Sequence, residues 1–305
     1  MRIRLTRVLK RVVLASALAS ILCGCDFPSL RNGPLSFLAT KGDRDVATDL
    51  YRRVTQGDEA GLQELIELAE KRKDWYAAFF AGLSFDPNSH IRGVKPSAVK
   101  AAMLYRSAIG LPAAQHNLAL LLLSGVSYDP KPKDGEAQKP LDPIQLLELA
   151  APKRVESMLL LAVLFERGFG SVKPNAALSA QWYSKAIEHS KDRRAQTRLG
   201  IAYLEGRGVP QDTAKGQELL LSAAKAGSSE AQYRLALLDQ PVIQAAQWMS
   251  VAAMTDAAYG AAAQAALSNV SGRDQEEIKR RASLWVHAHQ LERQLPAFSE
   301  PIGSP

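Results

Sequence analysis

A helix-hairpin unit recurs five times along the 305-residue chain, and this repetition constrains the fold more than any other feature of the sequence. The clearest unit reads AQTRLGIAYLEGRGVPQDTAKGQELLLSAAKAG at 195–227. Repeats 1 to 5 begin at Ala77, Ala114, Ser157, Ala195 and Ala231, at spacings of 37, 43, 38 and 36 residues. A unit of this size cannot bury its apolar face alone, so neighbouring units stack. The period therefore predicts a stacked helical solenoid, which offers a surface rather than a reaction centre.

The first helix of each repeat has apolar and small residues at helical spacing. Counted from the opening residue, position +4 is apolar, position +5 is glycine or alanine, and position +8 of repeats 1 to 4 is aromatic or leucine. These residues are Ala81, Leu118, Leu161, Leu199 and Leu235; Gly82, Ala119, Ala162, Gly200 and Ala236; and Phe85, Leu122, Phe165 and Tyr203. Steps of four keep one face of a helix, and the small residue lets a neighbouring helix approach closely.

A glycine turn and a capping residue separate the two helices of a repeat. The turn at 206–210 is GRGVP, in which glycine supplies a positive φ past the helix end and proline stops the helix. Ser97, Asn175 and Asp212 precede the second helices as N-caps. The second helices share a bulky pair followed by alanine: Leu104-Tyr105 with Ala108, Trp182-Tyr183 with Ala186, and Leu219-Leu220 with Ala223.

The sequences WYSKA at 182–186 and GRGV at 206–209 resemble the Sel-one-like repeat family, which is related to the tetratricopeptide repeats. The resemblance covers about residues 77–255. It implies an all-α fold, a right-handed solenoid of stacked antiparallel helix pairs. No segment alternates apolar and polar residues over the length of a strand, so a sheet is not expected.

Two repeats depart from the pattern. Repeat 2 replaces its short turn with SGVSYDPKPKDGEAQKPLDP at 124–143, and repeat 5 has almost no turn. Insertions in solenoids map to one face, often the binding face, although a long surface loop also costs little and can be tolerated without a role. Arginine and aromatic residues are the usual anchors of an interface. The candidate partner-binding residues are Tyr128, Lys131 and Lys133 in the loop and Arg106, Lys185, Arg198 and Arg234 towards a concave groove; ordinary solvated helix surface is the alternative.

The flanking segments divide into further parts. We expect a signal peptide at 1–24, a lipidated tether at 25–43, a degenerate helical hairpin at 44–76, capping helices at 256–295 and a disordered tail at 296–305. Leu62, Leu65, Ile66 and Ala69 form the apolar stripe of the hairpin, and Ile278, Ala282, Trp285 and Val286 that of the last helix. A polar outer face on that helix suits a terminal cap.

The N-terminus indicates export and lipidation. Basic residues precede an apolar run of eleven, Val12 to Leu22, which is too short to span a bilayer and suits a signal peptide. The following LCGC at 22–25 resembles the bacterial lipobox, and this implies cleavage after Gly24 and lipidation of Cys25. Acyl chains on Cys25 would anchor the protein to the periplasmic face of the inner or outer membrane. A plain secretory signal with a chance cysteine is the alternative.

Charge and motifs argue against several other functions. Of the 38 lysines and arginines, five lie in the leader, which leaves 33 against 31 acidic residues and gives no reason to expect nucleic acid as a partner. No metalloprotease, hydrolase or phosphate-loop motif occurs, so no cofactor, metal or catalytic residue is predicted. His116 is expected on a helix surface or ridge. Glu166 and Glu205, which we expect to occupy matching positions before the turn glycines, are explained by the repeat rather than by catalysis.

These observations predict a non-enzymatic, lipid-anchored periplasmic adaptor with an unknown protein partner in the cell envelope. A scaffold for secretion or exopolysaccharide assembly fits the family resemblance. An immunity or inhibitor lipoprotein that neutralises a periplasm-acting toxic effector is the alternative.

Overall fold

The computed structural model describes residues 41–127, 141–238 and 240–294, with side chains from 44 to 289. The expected signal peptide, most of the tether, most of the 124–143 loop and the C-terminal tail lie outside these ranges. Within them the regular structure is helical, and the β-type pairing is limited to an isolated bridge between Phe169 and Val172. The expected all-α class of stacked helix pairs is confirmed. The chain divides into two compact units, of which the first ends at Ala150 and the second begins at Ala151.

Unit 1 contains the N-terminal hairpin and repeats 1 and 2. Each of its helices packs against the next along the chain, and α1 also contacts α3. The helices are α1 (Lys41–Thr55), α2 (Glu59–Lys71), α3 (Trp75–Phe85), α4 (Ala98–Ser107), α5 (Pro112–Leu123) and α6 (Pro143–Ala150).

Unit 2 contains repeats 3 to 5 and the C-terminal helices, and its repeat helices again pack in chain order. The α-helices are α7 (Val155–Arg167), α8 (Ala176–Ser190), α9 (Arg193–Glu205), α10 (Thr213–Lys225), α11 (Ser229–Ala236), α12 (Val242–Thr255), α13 (Gly260–Leu267) and α14 (Gly272–Gln294). Short 3-10 helices at Ala151–Lys153 and Ala257–Tyr259 precede α7 and α13.

The apolar stripe predicted for the first helices is confirmed. All five opening residues are fully buried, and the residues at positions +4 and +5 are buried in every repeat. The two glycines at position +5 face the second helix at very short range. A Cβ added to Gly82 would lie 2.7 Å from the Tyr105 ring, and one added to Gly200 would lie 3.1 Å from the carbonyl oxygen of Gly216. Position +5 is therefore small because a larger side chain would separate the helix pair.

The turns within repeats 1, 3 and 4 close with the same hydrogen bonds. The backbone N–H groups of Ser97, Asn175 and Asp212 donate to the carbonyl oxygens of Phe85, Phe165 and Tyr203, at 2.8, 2.6 and 2.9 Å. The same three residues accept a bond from the backbone N–H three residues later, through their side-chain oxygens. The predicted N-caps are confirmed, and each one both ends the turn and starts the second helix.

The stripes predicted for the flanking helices are also found. Leu62, Leu65 and Ala69 of α2 are buried, with Ile66 half-buried. On α14, Ile278, Ala282 and Val286 are buried, the last two in a cluster with Val251 of α12, and the half-buried Trp285 ring meets Trp248 edge-on at 5.4 Å. The last helix therefore covers the second helix of repeat 5. Along the part of the chain described here, no helix has the length and apolarity needed to cross a bilayer.

Gly208 couples neighbouring repeats, and we predict that Gly208→Ala destabilises unit 2 more than Gly170→Ala. Both glycines have a positive φ, of 74° and 58°, which costs alanine about 1 kcal/mol. Only Gly208 also touches backbone: a Cβ there would overlap the carbonyl group of Ala176 at the start of α8. Overpacking adds about 1–3 kcal/mol. Urea unfolding of both variants measures the difference, and equal losses would show that Gly208 does not hold the repeats together.

Candidate protein interface

The sequence-predicted residues fall in different parts of the molecule. Cys25 and the loop candidates Tyr128, Lys131 and Lys133 lie outside the described residues. Arg106 is half-buried on α4 of unit 1. Lys185 is exposed on α8, where its ammonium lies 4.0 Å from the centroid of the Trp182 ring on the same helix. Arg198 and Arg234 lie on α9 and α11, which are neighbouring first helices of unit 2, and are half-buried.

Arg198 bridges three consecutive first helices. Its guanidinium nitrogens lie 3.9 Å from Glu166 Oε1 on α7 and 3.4 Å from Glu230 Oε2 on α11. The three side chains are 18–34% exposed, so water screens these charges less than it would screen a fully exposed pair. We call Glu166, Arg198 and Glu230 the charge ladder. It crosses repeats 3, 4 and 5 on the face formed by their first helices.

Glu166 is also tied to the core of its own repeat. The buried Tyr183 hydroxyl donates to Glu166 Oε2 at 2.7 Å, and burial together with this carboxylate raises the pKa of Tyr183. Unit 1 has the same arrangement in repeat 1, where the Tyr105 hydroxyl donates to Asp86 Oδ2 at 2.8 Å and the pKa of Tyr105 is raised for the same reasons. Asp86 and Glu166 both occupy position +9 of their repeats.

Glu205 does not share this role, contrary to the sequence-based match with Glu166. It lies at position +10, is exposed and pairs with Arg207 of the turn. Position +9 of repeat 4 is Leu204, which packs against the cluster around the fully buried Leu220. Repeat 4 therefore has a leucine pair where repeat 3 has the pair of Glu166 and Tyr183.

Arg234 occupies position +3 of repeat 5, the place that Arg198 occupies in repeat 4. Next to it along the chain, the Tyr233 ring packs against Tyr259, with ring centroids 4.9 Å apart. The pKa of Tyr259 is raised, first by burial, then by the charges of Glu230 and Asp256, and Arg234 opposes that rise. Arg234 and Glu230 are therefore both close enough to Tyr259 for their charges to act on its hydroxyl, and Tyr259 packs on Tyr233.

His116 is 6% exposed, so the expectation of a surface position is wrong; it is buried within repeat 2. Among the described residues, no three or more His, Cys, Asp or Glu side chains come together to hold a metal ion.

The sequence reading identified Arg198 and Arg234 but missed Glu166 as a ladder residue and did not single out Glu230, Tyr233 or Tyr259. The positions of the two acids, Glu166 and Glu230, relative to the opening residues of the repeats are the signal that the sequence offers. Glu166 lies at position +9 of repeat 3, and Glu230 immediately precedes the opening residue of repeat 5. Only the stacked fold brings both within reach of position +3 of repeat 4.

The Sel1 repeat model matches four segments of the chain, at residues 77–111, 112–137, 155–190 and 193–228. These segments correspond to repeats 1 to 4, and the fifth helix pair, α11 with α12, lies outside the match. No curated protein matches the chain significantly.

Two solved structures are similar to this chain. A Sel1 repeat protein from Oxalobacter formigenes superposes with a TM-score of 0.56 at 24% identity, over 70% of this chain and 85% of that one. A protective antigen present in uropathogenic Escherichia coli strains, displaying an SLR fold, gives a TM-score of 0.47 at 17% identity over 87% of this chain. This chain covers 66% of the antigen's length, slightly under two thirds.

The Tyr183 hydroxyl leads to a prediction at alkaline pH. Because the folded-state pKa of Tyr183 is raised, its contribution to stability is complete below pH ~10, where unfolded tyrosine keeps its proton, and falls as the pH rises above that value. Tyr183→Phe removes this titration. The free energy of unfolding should then decline less steeply above pH ~10, by up to about 1.4 kcal/mol per pH unit. Urea titrations followed by circular dichroism, from mildly to strongly alkaline pH, measure the slope.

Tyr105→Phe makes the same test in unit 1, since Tyr105 has the same kind of bond. A double variant with the wild-type alkaline slope would contradict the assignment of both hydroxyls.

Proposed function

We propose that this chain, a Sel1 repeat protein, is a non-enzymatic, lipid-anchored periplasmic adaptor that binds another protein of the cell envelope. Sel1 repeats generally mediate protein–protein interaction. The adaptor would hold its partner at the membrane surface, as in a secretion or exopolysaccharide assembly.

The observation that carries the proposal is the first-helix face of unit 2. Three stacked first helices present the charge ladder there, and the tyrosine pair of Tyr233 and Tyr259 continues this face beside Arg234. Tyrosine and arginine are enriched at the centres of protein interfaces because each combines a large apolar area with a polar end. Half-buried side chains held by a stacked scaffold also lose little conformational freedom on binding. The face therefore has the composition and the rigidity of a docking surface.

The membrane anchor rests on the sequence around Cys25. The basic leader, the short apolar run and the LCGC sequence are together typical of a lipoprotein signal. Several attached acyl chains give stable membrane association where a single chain does not. The loop at 124–143, with Tyr128, Lys131 and Lys133, is proposed as a second contact with the partner.

Photocrosslinking in intact cells tests the first-helix face. Tyr259 is replaced by the photoreactive p-benzoylphenylalanine, which keeps an aromatic ring next to Arg234. We predict a covalent adduct of one defined mass at this position, because the partner covers the face. The same replacement at Trp182 is the matched control, since Trp182 is a half-buried aromatic residue of a second helix beneath Lys185. Irradiated cells are analysed by blotting and mass spectrometry.

An adduct at position 182 with none at 259 would move the interface to the second-helix face. No adduct at either position would contradict the proposed interface in unit 2.

Substitution at the lipobox tests the anchor. Cys25→Ser should abolish labelling with radioactive palmitate and move the protein from the membrane fraction to the soluble fraction, because the thiol that carries the lipid is gone. Cys23→Ser is the control and should keep both the label and the membrane association, since Cys23 is expected to leave with the signal peptide. A wild-type protein that stays on the membrane without taking up palmitate would contradict lipidation.

A further inference from the structure

We propose that Arg234 is the anchor for a carboxylate group of the partner protein. This inference rests on the proposed function and names the chemistry that the first-helix face recognises. Its basis is a comparison of two arginines at the same position in neighbouring repeats, one of which has its acidic partners within the chain and one of which does not.

Arg198 shows how an arginine at position +3 is paired within the chain. The guanidinium lies between a carboxylate at position +9 of the preceding repeat, Glu166, and one just before the opening residue of the following repeat, Glu230. A half-buried guanidinium on a stacked helix keeps its charge while it loses part of its contact with water. Two flanking acids compensate that charge, so Arg198 is satisfied within the chain.

Arg234 lacks the first of these acids because position +9 of the preceding repeat is Leu204. Leu204 packs against the cluster around Leu220 and has no group that could pair with an arginine. Within the described residues, the Arg234 guanidinium makes no ion pair and no hydrogen bond. Repeat 5 therefore has the arginine, but repeat 4 does not supply a carboxylate at position +9.

Two acidic residues that act on the same tyrosine as Arg234, Glu230 and Asp256, already have other partners. Glu230 pairs with Arg198 at 3.4 Å, and Asp256 accepts a bond from the backbone N–H of Ala258 at 2.9 Å as a helix cap. The hydroxyl groups of Tyr233 and Tyr259 form no hydrogen bond with any residue that the structure describes. The guanidinium and the two phenol groups are therefore donors without an acceptor among the described residues. Arginine binds a carboxylate through two parallel N–H bonds, and a tyrosine hydroxyl can add a third.

A partner that inserts an aspartate, a glutamate or its C-terminal carboxylate at this point would complete the ladder that the chain itself leaves open. The proposal commits to a polypeptide carboxylate, and the test separates the side-chain group from the C-terminal one.

Arg234→Lys combined with a water-soluble carbodiimide tests the chemistry directly. The reagent couples an amine to a carboxylate in contact with it, forming an amide while the reagent takes up the water that is lost. Treatment of intact cells should link the new amine at position 234 to the partner, and mass spectrometry of the linked peptide identifies the carboxylate as Asp, Glu or C-terminal. Arg198→Lys is the matched control. It should give an internal amide to Glu166 or Glu230, because those acids already flank the position.

Arg234→Gln supplies a second, independent measurement. It should reduce the yield of the Tyr259-position photoadduct about tenfold or more, as removal of one partner of a desolvated charge pair does. Its thermal unfolding midpoint should match that of the wild type, since Arg234 pairs with no described residue. Arg198→Gln should lower the midpoint, because it leaves Glu166 and Glu230 without their cation.

The outcomes separate the two proposals. If the wild-type face yields no photoadduct, the proposed interface fails. If the photoadduct forms and Arg234→Gln retains its full yield, the interface stands and the carboxylate anchor is wrong. If the amine introduced by Arg234→Lys couples only to Glu230 or Asp256 of its own chain, the position is internally paired and the inference is overturned.

Discussion

The close approach of the two helices in each repeat is the constraint on which the rest of the structure depends. The opening residue of every first helix is fully buried, and the glycines at position +5 leave no room for a larger side chain. Since interiors pack at crystal-like density, these contacts fix how each first helix lies on its second helix. Stacking of these rigid helix pairs on one another then brings Glu166, Arg198 and Glu230 together, because each belongs to a different repeat.

Two kinds of side-chain pair occur where position +9 of the first helix meets the second helix of the same repeat. Repeats 1 and 3 bury a tyrosine that donates to a position +9 carboxylate, whereas repeat 4 uses Leu204 and Leu220. A buried hydroxyl needs its acceptor, so the tyrosine and the acid have to change together, while a leucine pair needs only volume. The choice has an external consequence, because the acid of repeat 3 also reaches the surface. Where leucine replaces it, the arginine of the next repeat loses its partner.

The sequence was sufficient to predict most of the buried stripes and the helix caps, because spacing on a helix determines which residues share a face. The stripes of α2 and α14, the caps Ser97, Asn175 and Asp212, and the small residue at position +5 were all predicted in this way. The charge ladder was not, since its members come together only through stacking. Arg198 and Arg234 are equivalent by sequence, and the sequence-based match of Glu166 with Glu205 overlooked their different distances from the turn glycine, two residues before Gly168 and one residue before Gly206. Such distances do not reveal which residue a side chain contacts.

A regular array would be a poor recognition surface, because every repeat would satisfy its own charges in the same way. Specificity needs positions at which the internal pattern is interrupted and a partner can supply the missing group. The interruption at Leu204 is of this kind. It leaves the fold intact, since leucine fills the core, and it leaves the charge of Arg234 without an acidic partner at a defined point on the first-helix face. Arg198 and Arg234 are the same residue at the same position, and the neighbour contributed by the preceding repeat makes one structural and leaves the other available for binding.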